Sequence, residues 1–189
     1  MESSIDNCQM SESAASDKHY RTDQKIRYAE IHLAELADNP TWGSNDDWEN
    51  AHQESFFFHL AGAVDGVLHE VDDRYDLGLT RVDLWSVRDK LKSESRESPA
   101  VNLMLCLRRD DTSWLSLLYR WRNYGTHRKH VGRVVTFSTH SRTDNYFTDP
   151  KTNVEQAVYP DAGGREVCLR LCTDMKELVR RCRAEDPLL

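Results

Sequence analysis

Hydrophobic residues recur every three or four positions along most of the chain, which is the spacing of amphipathic helices. The most regular segment extends from Phe57 to Tyr75. Within it, Gly62 and Gly66 weaken the helix by about 1 kcal/mol each relative to Ala, which indicates that a neighbouring element packs close there. The same spacing predicts further helices over residues 20–38, 81–95, 101–130 and 163–185.

The predicted helix over residues 101–130 is interrupted by the polar sequence DDTS. Asp110, Asp111 and Ser113 are candidate helix caps in this interruption, because their side chains can accept hydrogen bonds from free backbone amides. The region is therefore one helix or two.

Between residues 133 and 160, the hydrophobic residues no longer follow the helical spacing. The sequences RVVTFST and NVEQAVYP are β-like and could pair as a small hairpin or remain extended. The whole pattern predicts an all-α fold, an up-and-down bundle of four to six helices over residues 20–185, with this short β-like or irregular insertion before the last helix. Residues 1–19 are rich in Ser, Glu and Asp and are expected to form a flexible tail.

Composition limits the classes of protein to consider. A length of 189 residues fits one domain, and a net charge of −7 excludes a generally basic nucleic-acid-binding surface. No run of about 18 apolar residues is present, so no membrane partner is expected. The N-terminus lacks the apolar segment of a secretory signal, which favours a cytoplasmic protein with reduced thiols. Three cysteines of the last helix are expected to be small buried residues rather than zinc ligands: Cys168, Cys172 and Cys182.

Positive charge is nevertheless concentrated in one stretch, LYRWRNYGTHRKHVGR (residues 118–133), which holds five Arg or Lys residues, two His and no acid. On an ideal helix, Trp114, Leu117, Leu118 and Trp121 share the apolar face, whereas Asn123, His127 and His130 lie on the opposite side. Arg122 lies on a flank between these faces. An arginine fork can bind a phosphate and a histidine can move a proton, so the two together could cut RNA, whose own 2′-hydroxyl is the nucleophile.

The sequence RNYGTH, from Arg122 to His127, resembles the R-x4-6-H signature of the HEPN superfamily of helical-bundle proteins, and the polar Asn123 after the arginine is typical of it. The resemblance implies a homodimeric, metal-independent RNA endonuclease of toxin or defence type that needs no cofactor. Arg122 would hold the scissile phosphate, Asn123 would position it, and His127 would act as general acid or base. The other basic residues of the stretch are candidate RNA- and phosphate-binding groups: Arg120, Arg128, Lys129, His130 and Arg133.

The resemblance also implies protein partners, an antitoxin or a nucleotidyltransferase. Many toxin-type members continue the motif as H-x-Y, and the partner can modify that tyrosine. Lys129 stands at this position, so neutralisation by tyrosine modification is not expected here. One geometric condition applies to the motif: Arg122 and His127 lie about 140° apart on an ideal helix. They can meet only if the helix bends at Gly125 or if two subunits bring their motifs together.

Three alternatives remain open at the level of sequence. Some HEPN domains bind without catalysis. A second R-x4-H pair, Arg27 and His32, lacks the following Asn. A metal site is the third alternative, because Glu49 and His52 have the E-x-x-H spacing of di-iron bundles. Three further residues share one helix face and could form half of a metal site, although a solvated acidic face is the simpler interpretation: Asp65, His69 and Asp73.

Overall fold

A computed structural model describes residues 6–38, 46–127, 133–136, 144–160 and 162–189. The described part of the chain is an all-α bundle of six helices, with one antiparallel strand pair inserted before the last helix, as the hydrophobic pattern predicts. The elements are α1 (Asp6–Asp38), α2 (Asp47–Arg74), α3 (Leu84–Ser93), α4 (Pro99–Arg109), α5 (Trp114–His127), β1 (Arg133–Thr136), β2 (Asp144–Phe147) and α6 (Gly164–Glu185).

Side-chain caps set several of the helix boundaries. The carboxylate of Asp46 accepts a hydrogen bond from the amide of Glu49 at 2.8 Å, and Asp83 caps α3 in the same way. The hydroxyl of Ser113 accepts a hydrogen bond from the amide of Ser116 at 3.1 Å at the start of α5. The break falls at the predicted caps, so α4 and α5 are two separate helices.

The core lies around α2, which packs against α1, α3, α5 and α6. Its phenylalanines Phe56 and Phe57 are fully buried, and Phe57 contacts Trp121 of α5 and Phe147 of β2 at ring-centroid distances of 5.3 and 5.7 Å. The three cysteines of α6 are buried, as expected for small apolar residues.

Helices α1 and α2 come close together at Gly66. A Cβ atom at this position would lie 2.4 Å from the hydroxyl oxygen of Thr22 on α1. One turn away, the buried carboxylate of Glu70 accepts hydrogen bonds from the Thr22 hydroxyl and from the guanidinium of Arg183, which also binds Asp23. These contacts join α6 to α1 and α2 and fix the face of α1 that lies beside α2.

Two elements differ from the prediction. Helix α1 begins at Asp6 rather than near residue 20. Hydrophobic spacing detects only an apolar face, so it does not locate the end of a helix whose sequence is polar. The partner of β1 is β2, which lies in the segment predicted as the connection, and NVEQAVYP contributes only the bridge between Thr148 and Glu155. The buried ring of Phe147 anchors β2 to the core, which accounts for this pairing.

Within the described residues, no helix combines the length and the apolar character that crossing a bilayer requires.

Candidate functional site

The apolar face of α5 fixes the orientation of the basic stretch. Leu117, Leu118 and Trp121 are fully buried, as predicted, and Leu115 joins them although it was not assigned to this face. Arg122 is consequently half-buried on the flank of the helix, and Asn123 is exposed beside it. The Arg122 guanidinium donates a hydrogen bond to the Asn123 side-chain oxygen at 3.1 Å, so these two residues of the motif lie together.

Arg122 lines a polar cavity of about 240 Å³ between α1, α2 and α5. We call this space the Arg122 cavity. Two cations of α1, Arg21 and Lys25, line it as well, so basic residues about 100 positions apart in sequence converge here. The floor on α2 includes the exposed ring of Phe58, whose centroid lies 5.8 Å from the Arg122 guanidinium and 5.2 Å from the Lys25 ammonium.

Among the described lining residues, the three cations are accompanied by the carboxylate of Asp65. Burial raises the pKa of Asp65, while the nearby Arg122 guanidinium and a hydrogen bond from the Tyr119 hydroxyl at 3.3 Å act in the opposite direction. Among the described residues that line the Arg122 cavity, cations therefore outnumber carboxylates, in a protein whose net charge is −7. A partly buried arginine fork beside a lysine is an arrangement that binds a phosphate group.

The last residues of the motif, Gly125 to His127, belong to the end of α5. Helix α5 is continuous through Gly125 and ends at His127. A Cβ atom at position 125 would lie 3.3 Å from the Glu54 side chain, so this glycine serves the close packing of α5 on α2 and not a bend. On a continuous helix, Arg122 and His127 are about 140° apart. The His127 side chain lies outside the described residues.

The structure does not describe the side chains of four candidate phosphate-binding residues. Arg128, Lys129 and His130 belong to residues 128–132, which the structure does not describe, and Arg133 is described only as a backbone position of β1.

Arg120 is fully placed, and it does not belong to the Arg122 cavity. Two positions along a helix correspond to a rotation of about 200°, so Arg120 points away from Arg122. Its guanidinium donates two hydrogen bonds to the Asp149 carboxylate, at 2.9 and 2.8 Å, and a third to the Asp111 carbonyl at 3.0 Å. Arg120 thus joins α5 to the chain that follows β2.

The residues of each alternative metal site have different surroundings. Glu49 is buried and accepts a hydrogen bond from the Gln53 amide, whereas His52 is partly exposed and lies against His32 of α1. Asp65 and His69 both line the Arg122 cavity, but Asp73 does not. Among the residues described, no group of three or more His, Cys, Asp or Glu side chains is arranged to hold a metal ion.

Sequence reasoning found Arg122 but missed Arg21 and Lys25. The signal was present in part, because these residues are four positions apart on one face of a predicted helix and the glycine pair of α2 indicated a close neighbour. The pattern did not show that the neighbour is α1, so the two groups of cations could not be joined from sequence alone.

The fold and the Arg122 cavity define a helical-bundle protein with a basic cleft between its first, second and fifth helices. The chain belongs to the family DUF6586, a family of unknown function, which matches residues 17–184. No curated protein and no solved structure is significantly similar to the chain.

Proposed function

We propose that the protein is a metal-independent RNA endonuclease in which Arg122 holds the scissile phosphate. The observation that carries the proposal is the convergence of Arg21, Lys25 and Arg122 on one cavity of an otherwise acidic protein. Such a cavity offers charge-assisted hydrogen bonds to a phosphodiester and to the additional negative charge that develops on it in the transition state. The resemblance of RNYGTH to the HEPN signature supports the same assignment.

The proposed reaction uses the 2′-hydroxyl of the RNA as nucleophile. This oxygen attacks the adjacent phosphorus and the bond to the 5′-oxygen of the next nucleotide breaks, which leaves a 2′,3′-cyclic phosphate and a free 5′-hydroxyl. His127 takes the proton from the nucleophile or gives one to the leaving oxygen. Asn123 orients Arg122 through the hydrogen bond to its guanidinium. Because Arg122 and His127 lie on different faces of α5, we infer that a second subunit supplies the histidine and that the enzyme is a homodimer.

The resemblance to HEPN toxins supports a toxin or defence role in the cytoplasm, with an antitoxin or a nucleotidyltransferase as partner. A nucleotidyltransferase would have to act other than on the H-x-Y tyrosine, since Lys129 occupies that position.

Cleavage of single-stranded RNA in the presence of EDTA tests the proposal. We expect the wild-type protein to release products with a 2′,3′-cyclic phosphate, and Arg122→Ala and His127→Ala to lose roughly 10²- to 10⁴-fold in rate. Arg165→Ala is the matched control, because Arg165 is an exposed arginine of α6 that does not line the Arg122 cavity. Cleavage that disappears on chelation, or that survives both motif substitutions, would overturn the proposal.

A second candidate function is RNA binding without cleavage, and the continuity of α5 through Gly125 favours it, since one chain does not bring Arg122 and His127 to the same face. In this case RNA would bind to the same cavity. No cleavage together with salt-dependent RNA binding that weakens in Arg122→Ala would select this function. Absence of both cleavage and binding would exclude both functions.

A further inference from the structure

Next to the Arg122 cavity, six aromatic and imidazole rings form a continuous surface on α1 and α2. We call it the ring surface, and its members are Tyr28, His32, Trp48, His52, Phe58 and His59. Trp48 lies over His52 at a centroid distance of 4.2 Å, and His52 packs edge-on against His32 at 5.2 Å. His32 stacks on His59 at 5.6 Å with an interplanar angle of 10°, and His59 contacts the Tyr28 and Phe58 rings at 5.2 and 5.5 Å.

These rings do not belong to the hydrophobic core. Tyr28, Trp48 and Phe58 are 39, 42 and 43% exposed, and the three histidines are partly exposed. Large aromatic side chains gain stability when they are buried, so a contiguous exposed group of them indicates a binding surface.

The ring surface and the Arg122 cavity meet at Phe58. This ring lies beneath both the Lys25 ammonium and the Arg122 guanidinium, and the Lys25 nitrogen is 3.5 Å from a ring nitrogen of His59. The cations therefore adjoin one end of the ring surface, at Phe58 and His59. Proteins that bind single-stranded nucleic acid use this combination, with cations for the backbone and rings for the bases.

Two of the imidazoles, those of His32 and His59, have an environment that favours their neutral form. Burial and the neighbouring His52 lower the pKa of His32, against a smaller opposite effect of Glu35, and burial and the Lys25 ammonium lower the pKa of His59. In their neutral form, His32 and His59 add no charge that would repel Lys25.

We propose that the ring surface binds unpaired RNA bases by stacking, and that the strand continues from it into the Arg122 cavity. The partner is single-stranded RNA, because a duplex keeps the faces of its bases stacked on one another and offers only phosphates, sugars and base edges. This inference rests on the proposed function, since Arg122 holds the phosphate from which the strand reaches the rings.

Binding of a fluorescently labelled single-stranded oligonucleotide, measured by anisotropy in EDTA over a range of salt concentrations, tests the inference. Trp48→Ala should weaken binding by about 5- to 100-fold, the loss expected when one stacking ring is removed, with an unchanged salt slope. Trp85→Ala is the control, because Trp85 on α3 is equally exposed, at 42%, but does not contact the ring surface. The wild-type protein should bind the matching duplex more weakly than the single strand.

The outcomes separate the two proposals. Weakened binding in Arg122→Ala but not in Trp48→Ala would overturn the ring surface and leave the proposed function standing. Weakened binding in Trp48→Ala with no effect of Arg122→Ala on affinity or salt slope would overturn the phosphate role of Arg122 instead. A change of oligomeric mass in Trp48→Ala, with RNA affinity intact, would identify the surface as a contact between copies of the chain.

A measurement on the wild-type protein avoids any effect of the substitutions on folding. Ultraviolet crosslinking to RNA that contains 4-thiouridine, followed by mass spectrometry, should place adducts on rings such as Tyr28, Trp48 and Phe58. Adducts confined to other parts of the chain would contradict the proposal.

Discussion

Gly66 lies at a close approach of α1 and α2, and Thr22 occupies the space that a side chain at this position would need. A Cβ atom would come within 2.4 Å of the Thr22 hydroxyl oxygen and 3.0 Å of its Cα atom. The close approach holds α1 against α2 at the level where Arg21 and Lys25 line the Arg122 cavity. The absence of a side chain at Gly66 therefore allows the helix packing that positions Arg21 and Lys25 at the cavity.

Gly66→Ala is expected to lower the free energy of unfolding by about 1 to 3 kcal/mol, because the backbone of α1 has to move away. Gly62→Ala is the matched control on the same helix. Its Cβ atom would lie 3.4 Å from the Cδ atom of the flexible Lys25 side chain, so the gain in helix propensity, about 1 kcal/mol at most, should leave stability equal or higher. Urea unfolding followed by circular dichroism measures both changes, and equal destabilisation of the two variants would contradict the explanation.

At the scale of the element, α5 has two separate tasks. Arg120 and Trp121 hold the chain that follows β2, through the Asp149 carboxylate and the Thr148 carbonyl, which accepts a hydrogen bond from the indole at 2.7 Å. Arg122, on another face, serves the Arg122 cavity. Adjacent basic residues of one stretch thus differ in role, and the difference depends on which helix face each residue occupies.

Arg120→Ala is expected to lower the free energy of unfolding by roughly 1 to 3 kcal/mol. The substitution removes both hydrogen bonds that the guanidinium donates to the Asp149 carboxylate, in a poorly solvated site. The side chains of this pair are only 19 and 16% exposed. Lys151→Ala removes a pair whose side chains are 58 and 71% exposed, so its effect should be below about 1 kcal/mol.

Thermal unfolding and limited proteolysis of residues 144–160 measure the difference between these variants. The salt slope of RNA binding should stay as in the wild type in Arg120→Ala. A reduced slope with unchanged stability would restore Arg120 as a phosphate ligand.

The sequence predicted the elements better than their contacts. Helical spacing located the helices of the bundle, and capping residues such as Ser113 located their ends, because these signals are local. The partner of β1 was missed because strand pairing depends on which ring reaches the core, and Phe147 does so through contacts with Phe57 and Trp121 on other helices. The same limit applied to the candidate site. Arg122 was identified from a local motif, whereas identifying Arg21 and Lys25 required knowledge of which helices are neighbours.

At the scale of the whole molecule, an acidic protein has to bind a polyanion through a local site. The net charge of −7 repels RNA at distances within the Debye length, about 8 Å at physiological salt, whereas the cations around Arg122 act at contact. The ring surface adds an attraction that does not depend on charge, because stacking on bases is much less sensitive to salt than phosphate contacts are. The two sites together would allow specific binding of a single strand without a generally basic surface.

The proposed homodimer makes a prediction about mixed subunits. If each active site combines Arg122 of one subunit with His127 of the other, a heterodimer of Arg122→Ala and His127→Ala subunits keeps one intact site of two and should cleave RNA at about half the wild-type rate. A heterodimer of a wild-type subunit with one carrying both substitutions has no intact site and should be inactive. Two affinity tags allow each heterodimer to be isolated, and initial rates in EDTA measure the result. The reverse pattern would show that both residues act within one subunit, and an active protein with the mass of a monomer would exclude the paired site.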